Sequence, residues 1–532
     1  MGGSIRIPTG VAEWDTVPEL VAARAAANPD VAMIEIDGRP ITYGALEKQS
    51  SVIAGNLHRL GVRKGDRVGS YQHNSVEMFL LWIGTNKLGA VWVPMNAGLS
   101  GQDLRYTVDN ASLKLLIVGA DLADRLHVID DLEEKPALFI AGGEQDTFSE
   151  LLLPCPSAPD VAFSADDPAV IIYTGGTTGM PKGAVLPQFA FIAAGYRYVQ
   201  AFSTRPDDRH YSVLTMFHVG GLMLGLIGPM VANIPTFLDR RFSVKNFWKR
   251  IRETRATIAD PLGTMISMLL REPEGPGDCD HTVRITLAAM AQLPAGTREK
   301  YTARFGIETV NVYSLTECGG VLIVNNPPGS PVPEANGKGW GWAEVAVLDE
   351  NDIPMPPGKP GQIALRPSVP NVFMCGYHNN PQRTLECMSN LWLHTGDLGY
   401  LDENDFLFLT GRQVHWIRRR GENISAYEVE SVISQYPGVR EVIAVGAPSE
   451  MGEEEVKVFI IPDGELDPVD IVKWCADQIA YFKIPRFIEF LPEFPRSVAK
   501  MEVERQKLKD LPNDKAWDRE AQMGAVRAPK AN

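Results

Sequence analysis

Short apolar strands alternate with amphipathic helical segments through roughly the first 320 residues, and this alternation constrains the fold more than any other feature. Residues 31–36 read as a strand, and residues 42–61 after them read as an amphipathic helix. The order recurs where a helix ending at Gly89 precedes a strand over residues 90–95. Because such alternation favours parallel sheets covered by helices, we expect a layered α/β fold.

After about Pro327 the pattern changes to short strands punctuated by Pro and Gly, which predicts a β-rich subdomain. Beyond Gly411-Arg412 a compact run follows, predicted as a helix (422–435), two strands (441–448, 455–462) and a second helix (468–480). A chain of 532 residues exceeds what one core supports. We therefore predict a large N-terminal domain over residues 1–411 and a small, mobile α+β C-terminal domain over residues 412–532, with a frayed tail after about residue 512.

The formal net charge of −15 argues against a general nucleic-acid binder, so any phosphate-bearing ligand must be held by a few local groups. Six cysteines without a CxxC pair predict neither a disulfide framework nor a zinc site, and they suit a reducing compartment. The first ten residues lack the basic start and apolar core of a secretory signal. We expect a cytoplasmic protein.

One stretch, from His210 to Leu238, contains no Asp, Glu, Lys or Arg and is long enough to span a bilayer. It is interrupted by Pro229, Pro235 and the Gly220-Gly221 pair. These interruptions favour a buried strand and helix beside a ligand pocket over a transmembrane segment.

Residues 171–183 form the most informative segment, an apolar strand that runs into a loop of glycines and threonines and ends in a lysine. Glycines let backbone N–H groups approach phosphate oxygens, hydroxyls can donate to them, and the lysine adds a positive charge. The loop does not have the Walker A spacing, and an ordinary Gly/Thr turn is the alternative. The candidate polyphosphate ligands are Thr174, Gly175, Gly176, Thr177, Thr178, Gly179 and Lys182.

With this loop the chain resembles the adenylate-forming superfamily of acyl-CoA synthetases, luciferases and peptide-synthetase adenylation domains. Further signatures of that family follow in its order: Tyr313-Ser-Leu-Thr-Glu317, Leu393-His-Thr-Gly-Asp397, Gly411-Arg412 leading to 418–425, and Pro495-Arg-Ser-Val-Ala-Lys500. The resemblance spans about Pro18 to Lys509. It implies an ATP- and Mg²⁺-dependent enzyme that activates a small carboxylic acid as its acyl-adenylate and passes the acyl group to CoA.

The resemblance assigns the nucleotide contacts. Tyr313 would stack on adenine, Thr316 would donate to phosphate, and Glu317 would hold Mg²⁺. Asp397 and Arg412 would bind the ribose, with Arg418 and Asn423 on the adenylate. Read singly, these residues also fit a core tyrosine, a helix cap, a turn and surface charges.

Lys500 is the predicted catalytic residue of the first half-reaction, because a cation stabilises the charge that accumulates as a carboxylate attacks the α-phosphorus. For the second half-reaction the resemblance places Arg420, Gly421 and Glu422 on CoA. Arginines suit its phosphates, and a glycine lets the pantetheine arm pass closely; a solvated charge run is the alternative.

The family's acyl pocket corresponds here to Phe217, His218, Gly220 and Met290, with His218 as a gating or wall residue that we also count as catalytic. A buried, satisfied histidine is the alternative. The mostly apolar lining favours a hydrophobic or aromatic acid over a charged one. The sequence leaves the oligomeric state open, a homodimer included.

Two departures from the family pattern concern the small domain. Val414 stands where a charged hinge residue is usual, and Ala499 replaces the glycine before the catalytic lysine. They leave open an amide synthetase that transfers the acyl group to an amine, or transfer to a carrier protein. A non-catalytic nucleotide-binding protein is disfavoured by the presence of four residues, Lys182, Glu317, Asp397 and Lys500.

We predict that Lys500→Ala lowers acyl-AMP formation far more than it weakens ATP binding, because the lysine stabilises charge that develops only in the transition state. Single-turnover adenylate formation and equilibrium ATP binding measure the two effects. Equal losses in both would contradict the assigned role.

Overall fold

The computed structural model describes residues 13–158, 160–176, 179–288, 296–320, 323–339, 341–412, 416–419, 422–448, 454–476, 478–479, 483–497 and 501–523. The side chains at positions 175, 176, 179, 180, 264, 288, 412, 416, 418, 422, 423 and 425 also lie outside the description.

Helices and strands are both distributed along the whole described chain. The α-helices are α1 (Val17–Ala27), α2 (Tyr43–Arg59), α3 (Val76–Lys87), α4 (Gly101–Ala111), α5 (Gln188–Phe202), α6 (Val219–Leu222), α7 (Gly228–Ala232), α8 (Val244–Thr254), α9 (Gly263–Arg271), α10 (Thr297–Phe305), α11 (Pro381–Cys387), α12 (Ala426–Ile433), α13 (Pro468–Ala476), α14 (Arg505–Lys509) and α15 (Arg519–Met523). The 3₁₀ segments are Ala120–Ile129, Phe148–Leu152 and Ser389–Leu391, and Met223–Ile227 is a π-helical turn.

The strands are β1 (Ala32–Ile36), β2 (Arg39–Thr42), β3 (Arg67–Tyr71), β4 (Val91–Met95), β5 (Leu115–Gly119), β6 (Ala137–Ala141), β7 (Pro168–Gly176), β8 (Gly179–Pro187), β9 (His210–Ser212), β10 (Thr236–Leu238), β11 (Ile258–Ala259), β12 (Ile285–Ala288), β13 (Glu308–Tyr313), β14 (Val324–Asn326), β15 (Gly337–Gly339), β16 (Ala343–Leu348), β17 (Gly361–Pro367), β18 (Gly376–Tyr377), β19 (Leu393–Leu401), β20 (Phe406–Arg412), β21 (Trp416–Arg419), β22 (Glu422–Ser425), β23 (Val439–Pro448), β24 (Glu454–Pro462), β25 (Phe487–Phe490) and β26 (Trp517–Asp518).

The chain divides into two compact units. The first comprises Met1–Ala289, Tyr301–Val345 and Leu365–Leu393, and the second comprises Met290–Lys300, Ala346–Ala364 and His394–Asn532. The predicted domain boundary between residues 411 and 412, and the mobility of the small domain, stay predictions.

Two sheets build the first unit. One has the order β18-β8-β7-β4-β3-β5-β6, with parallel pairs from β7 to β6, as the helix–strand alternation predicts. The other contains β14-β13-β12-β11-β9-β10-β1-β2 as neighbours, parallel from β13 to β1. The α/β prediction is confirmed.

Some of the helices begin at a residue whose side chain caps them. Ser75 accepts a hydrogen bond from the Met78 N–H at 3.1 Å and so starts α3. At α1, Thr16 and Glu19 form a capping box. These caps fix where α1 and α3 begin.

The uncharged stretch from His210 to Leu238 forms a buried strand, a helical run and a second strand, which confirms a strand-and-helix interpretation. β9 and β10 pair in parallel, and α6, the π-helical turn and α7 connect them. Among the described helices, none combines the length and apolar character that crossing a membrane would require.

In the second unit, β23-β24-β25-β26 form one sheet and β21-β22 a hairpin. The predicted helix from residue 422 is wrong for residues 422–425, which form β22. The reason is packing: Ile424 pairs with Ile417 across the hairpin, and both are buried in a core with α12 and α13.

The described part of the tail differs from the predicted frayed end. β26 pairs with β25, and Arg519 is fully buried, its Nη1 donating to the Ile484 carbonyl at 2.9 Å. The sheet therefore continues to residue 518.

The two glycines at the start of the helical run differ in the space around them. A Cβ on Gly221 would lie 2.2 Å from the Thr215 carbonyl oxygen, whereas one on Gly220 would meet only a Leu214 methyl at 3.2 Å. We predict that Gly221→Ala lowers the free energy of unfolding by about 1–3 kcal/mol, because a backbone atom must move. Gly220→Ala is the matched control, and helix propensity alone favours it by up to about 1 kcal/mol. Urea unfolding measures both, and equal midpoints for the two variants would contradict the argument.

Candidate active site

The two strands that flank the predicted phosphate loop, β7 and β8, form an antiparallel pair. In the β7–β8 pair, Thr174 stands opposite Lys182 and Gly176 opposite Gly179. The Thr174 hydroxyl donates to the Lys182 carbonyl at 3.4 Å. The pairing thus holds a hydroxyl and a cation at the base of the loop, whose Thr177 and Thr178 lie outside the described residues.

Glu317 follows β13 in a turn that packs against the segment before β18. Its carbonyl accepts a hydrogen bond from the Met374 N–H at 2.8 Å. Its side-chain Oε1 accepts one from the Tyr377 hydroxyl at 2.7 Å. The preceding residues Tyr313 and Thr316 are buried, with 5% and 8% of their surface exposed. Only a small part of Tyr313, the residue predicted to stack on adenine, is therefore exposed.

Tyr377 connects two of the predicted site residues. Besides its bond to Glu317, its ring centroid lies 5.7 Å from the Lys182 ammonium. An ammonium at that distance is within the range of a cation–π interaction. The predicted phosphate-binding lysine and the predicted metal ligand are therefore brought together by a tyrosine between β8 and the Glu317 turn.

The charges around these residues shift their proton affinities. Burial lowers the pKa of Lys182, and the nearby Arg383 guanidinium lowers it further, while Glu317 opposes the change. Burial raises the pKa of Tyr377, and the Glu317 carboxylate adds to that effect. Tyr377 is thus a neutral hydrogen-bond donor at physiological pH.

The donor set around Glu317 suits a magnesium ion that is shared with phosphates. Oε1 is held by Tyr377, and among the described residues Oε2 has no hydrogen-bond donor. In the described part of the chain, no three or more His, Cys, Asp or Glu side chains are grouped so that they could hold a metal ion by themselves. A single carboxylate fits Mg²⁺, which usually takes one or two carboxylates and completes its shell with water and phosphate oxygens.

The predicted acyl segment, residues 213–223, adjoins the Glu317 turn within the same unit. A Cβ on Gly320 would lie 2.3 Å from Cγ2 of Val219, the residue after His218, so the turn and the start of the helical run are in close contact. Phe217 is buried, and His218 and Gly220 are half-buried. Met290 lies outside the described residues.

Asn74 holds the residues just before the predicted acyl pocket, a role that we did not predict. Its amide donates to the Leu214 carbonyl at 2.9 Å and the Asp239 carbonyl at 2.8 Å, and it accepts from the Met216 N–H at 2.7 Å. We did not predict the role of Tyr377 either. Weak sequence signals exist for the two residues: Asn74 follows a buried parallel strand, and Tyr377 follows Gly376 just before an Asn-Pro pair.

The predicted ribose ligands belong to the second unit. Asp397 and Arg412 are paired residues of β19 and β20. Asp397 is 3% exposed, and its N–H donates to Thr395 Oγ1 at 3.0 Å across a turn in which Gly396 has φ +73°. The register alone therefore brings these two predicted residues together.

The remaining predicted residues are described only in part. The backbone alone is described for Gly175, Gly176, Gly179, Arg412, Arg418, Glu422 and Asn423. Wholly outside the described residues lie Arg420, Gly421 and Lys500, and also Val414 and Ala499. Their roles stay predictions.

Comparison with known proteins identifies the family. A family model described as AMP-binding enzyme matches residues 21–378, and a model described as AMP-binding enzyme C-terminal domain matches residues 428–499. The chain is 30% identical over 501 residues to the crotonobetaine/carnitine–CoA ligase of Salmonella paratyphi A, which covers 91% of this chain and 96% of that relative.

Solved structures agree on the fold. ATP-bound MatB from Rhodopseudomonas palustris superposes with a TM-score of 0.83 at 25% identity, covering 93% of this chain and 98% of that one. The anthranilate CoA ligase AuaEII in complex with anthranoyl-AMP gives a TM-score of 0.84 at 24% identity, covering 93% and 96% of the two chains.

We predict that ATP affinity falls at alkaline pH through Lys182. Its pKa is lowered in the free protein, and a bound polyanion would raise it by favouring the charged form. Affinity is therefore full below the free pKa and declines as pH rises above it. Lys182→Arg keeps the charge to beyond about pH 12 and removes this decline, whereas Lys182→Met weakens binding by about tenfold at neutral pH. Calorimetric titration with ATP across pH measures the affinity of each variant. If the affinity of Lys182→Arg falls at alkaline pH as much as that of the wild type, Lys182 is not the group responsible.

Proposed function

The chain belongs to the AMP-binding enzyme family, and on that premise we propose that it joins a carboxylic acid to ATP as an acyl-adenylate and then forms an acyl-CoA thioester. The grouping of Lys182, Tyr377 and Glu317 beside the acyl segment is the observation that carries the proposal. It offers a cation, a carboxylate and an acid-binding wall within one unit.

In the first half-reaction a carboxylate oxygen attacks the α-phosphorus, and the bond to the bridging oxygen breaks to release pyrophosphate. Lys182 and the β7–β8 loop are proposed to hold the polyphosphate, and Lys500 to stabilise charge at the reacting phosphorus. Glu317 would hold Mg²⁺, which neutralises phosphate charge when bound. The other proposed nucleotide contacts are Tyr313 to adenine, Thr316 to phosphate, and Asp397 and Arg412 to ribose.

In the second half-reaction the CoA sulfur attacks the carbonyl carbon, AMP leaves, and the thiol proton passes to solvent. The chain's own thiol next to Glu317 does not compete. Burial raises the pKa of Cys318 to about 12, so it stays protonated and unreactive at neutral pH.

We propose an uncharged, apolar or aromatic acid as substrate. Between Val213 and Met223 the described side chains include no Asp, Glu, Lys or Arg, and Leu214, Phe217 and Leu222 are buried. The relative from Salmonella paratyphi A is named for crotonobetaine and carnitine, which carry a cationic group. The described part of this wall contains no carboxylate to pair with such a group.

Transfer to an amine is the second candidate, and it rests on Val414 and Ala499.

A cytoplasmic location stays a prediction from the cysteine pattern.

Pyrophosphate release with MgATP over a panel of aliphatic, aromatic and quaternary-ammonium acids, with and without CoA, tests these proposals. We expect release to require the acid, to accelerate with CoA and to yield acyl-CoA. Apolar acids should react at least tenfold faster than cationic ones, which corresponds to about 1.4 kcal/mol in activation free energy. Acid-dependent release that CoA does not change, but an amine does, would favour the amide synthetase. A preference for cationic acids would overturn the substrate class alone.

A further inference from the structure

Tyr377 is held at both ends. Its backbone N–H donates to Thr384 Oγ1 at 2.8 Å, and β18 pairs it with Ala184 of β8. Its hydroxyl donates to Glu317 Oε1 at 2.7 Å, and 9% of the residue is exposed. A side chain fixed in this way gives the carboxylate one orientation instead of several.

The same ring stands beside the Lys182 ammonium. Its centroid lies 5.7 Å from Nζ, and within the described residues Lys182 and Glu317 form no salt bridge. A half-buried lysine and a half-buried carboxylate this near to a shared neighbour would otherwise attract each other. Such a pair would neutralise the two groups that the nucleotide and its metal need.

A tyrosine that only fills the core would not require its hydroxyl on a half-buried carboxylate. Tyr211 offers the comparison: its hydroxyl also donates to a carboxylate, Asp239, at 2.9 Å, but that carboxylate is tied to Arg250 as well. Glu317 has no such cation bonded to it in the described structure. Among the described residues no hydrogen-bond donor reaches its Oε2, which can therefore take a ligand.

We propose that Tyr377 is a positioning residue that orients the Glu317 carboxylate toward a phosphate-bound magnesium ion and keeps the Lys182 ammonium from pairing with that carboxylate. The inference rests on the proposed function, because it presumes that the site binds MgATP. It adds a residue that lies 60 positions along the chain from Glu317 to the nucleotide site.

The test compares ATP affinity with Mg²⁺ and with EDTA in the full-length protein. Tyr377→Phe keeps the ring and removes only the hydroxyl. We expect it to weaken MgATP binding by about tenfold, the loss of a hydrogen bond to a charged group, and to leave metal-free ATP binding within about twofold. Tyr211→Phe removes an equivalent hydroxyl–carboxylate bond elsewhere, and we expect it to leave the ratio of the two affinities unchanged.

A double-mutant cycle adds a second readout. If the hydroxyl acts through Glu317, the effects of Tyr377→Phe and Glu317→Gln on MgATP affinity are far from additive. Tyr377→Leu, which also removes the ring, should weaken metal-free ATP binding too, because Lys182 is then open to capture by Glu317.

Equal losses with and without Mg²⁺ in Tyr377→Phe, or additive losses in the cycle, would overturn the inference. A wild-type protein that binds MgATP with no effect of Tyr377→Phe would overturn it and leave the proposed function intact. A wild-type protein that does not bind MgATP would overturn both.

Discussion

The antiparallel pairing of β7 with β8 is the interaction on which the proposed site depends. A chain with a net charge of −15 cannot attract a polyphosphate by its overall field, so the binding groups must be placed one by one. Backbone register does this by setting Thr174 opposite Lys182. The same strand, β8, then carries β18 on its other edge, and with it the tyrosine that reaches Glu317.

A second set of contacts joins the proposed nucleotide site to the proposed acyl pocket. Gly320, in the turn after Glu317, approaches Val219 too closely for a side chain of its own. Asn74, which follows β3 of the seven-stranded sheet, bonds to Leu214 and Met216, just before Phe217 of the predicted acyl pocket. A shift in either contact would move the acid relative to the phosphates, and in-line attack tolerates little misplacement.

The alternation of strands and helices made the α/β class predictable. Short motifs supplied the candidate ligands, because Lys182 and Glu317 stand in local patterns of residues suited to phosphate and metal. Tyr377 and Asn74 were not predictable in that way, since their roles arise from bonds to residues 60 and 142 positions away along the chain. The strand at residues 422–425 was missed because its pattern suits a helix until pairing with β21 buries Ile424.

The central claim is that the carboxylate itself attacks the α-phosphorus. The most direct measurement supplies an acid whose two carboxyl oxygens are heavy-isotope labelled and follows the label by mass spectrometry after one turnover with MgATP and CoA. The account predicts one labelled oxygen in AMP, carried there by the oxygen that bridged acyl carbon and phosphorus. Label in orthophosphate, with ADP as the co-product, would contradict it.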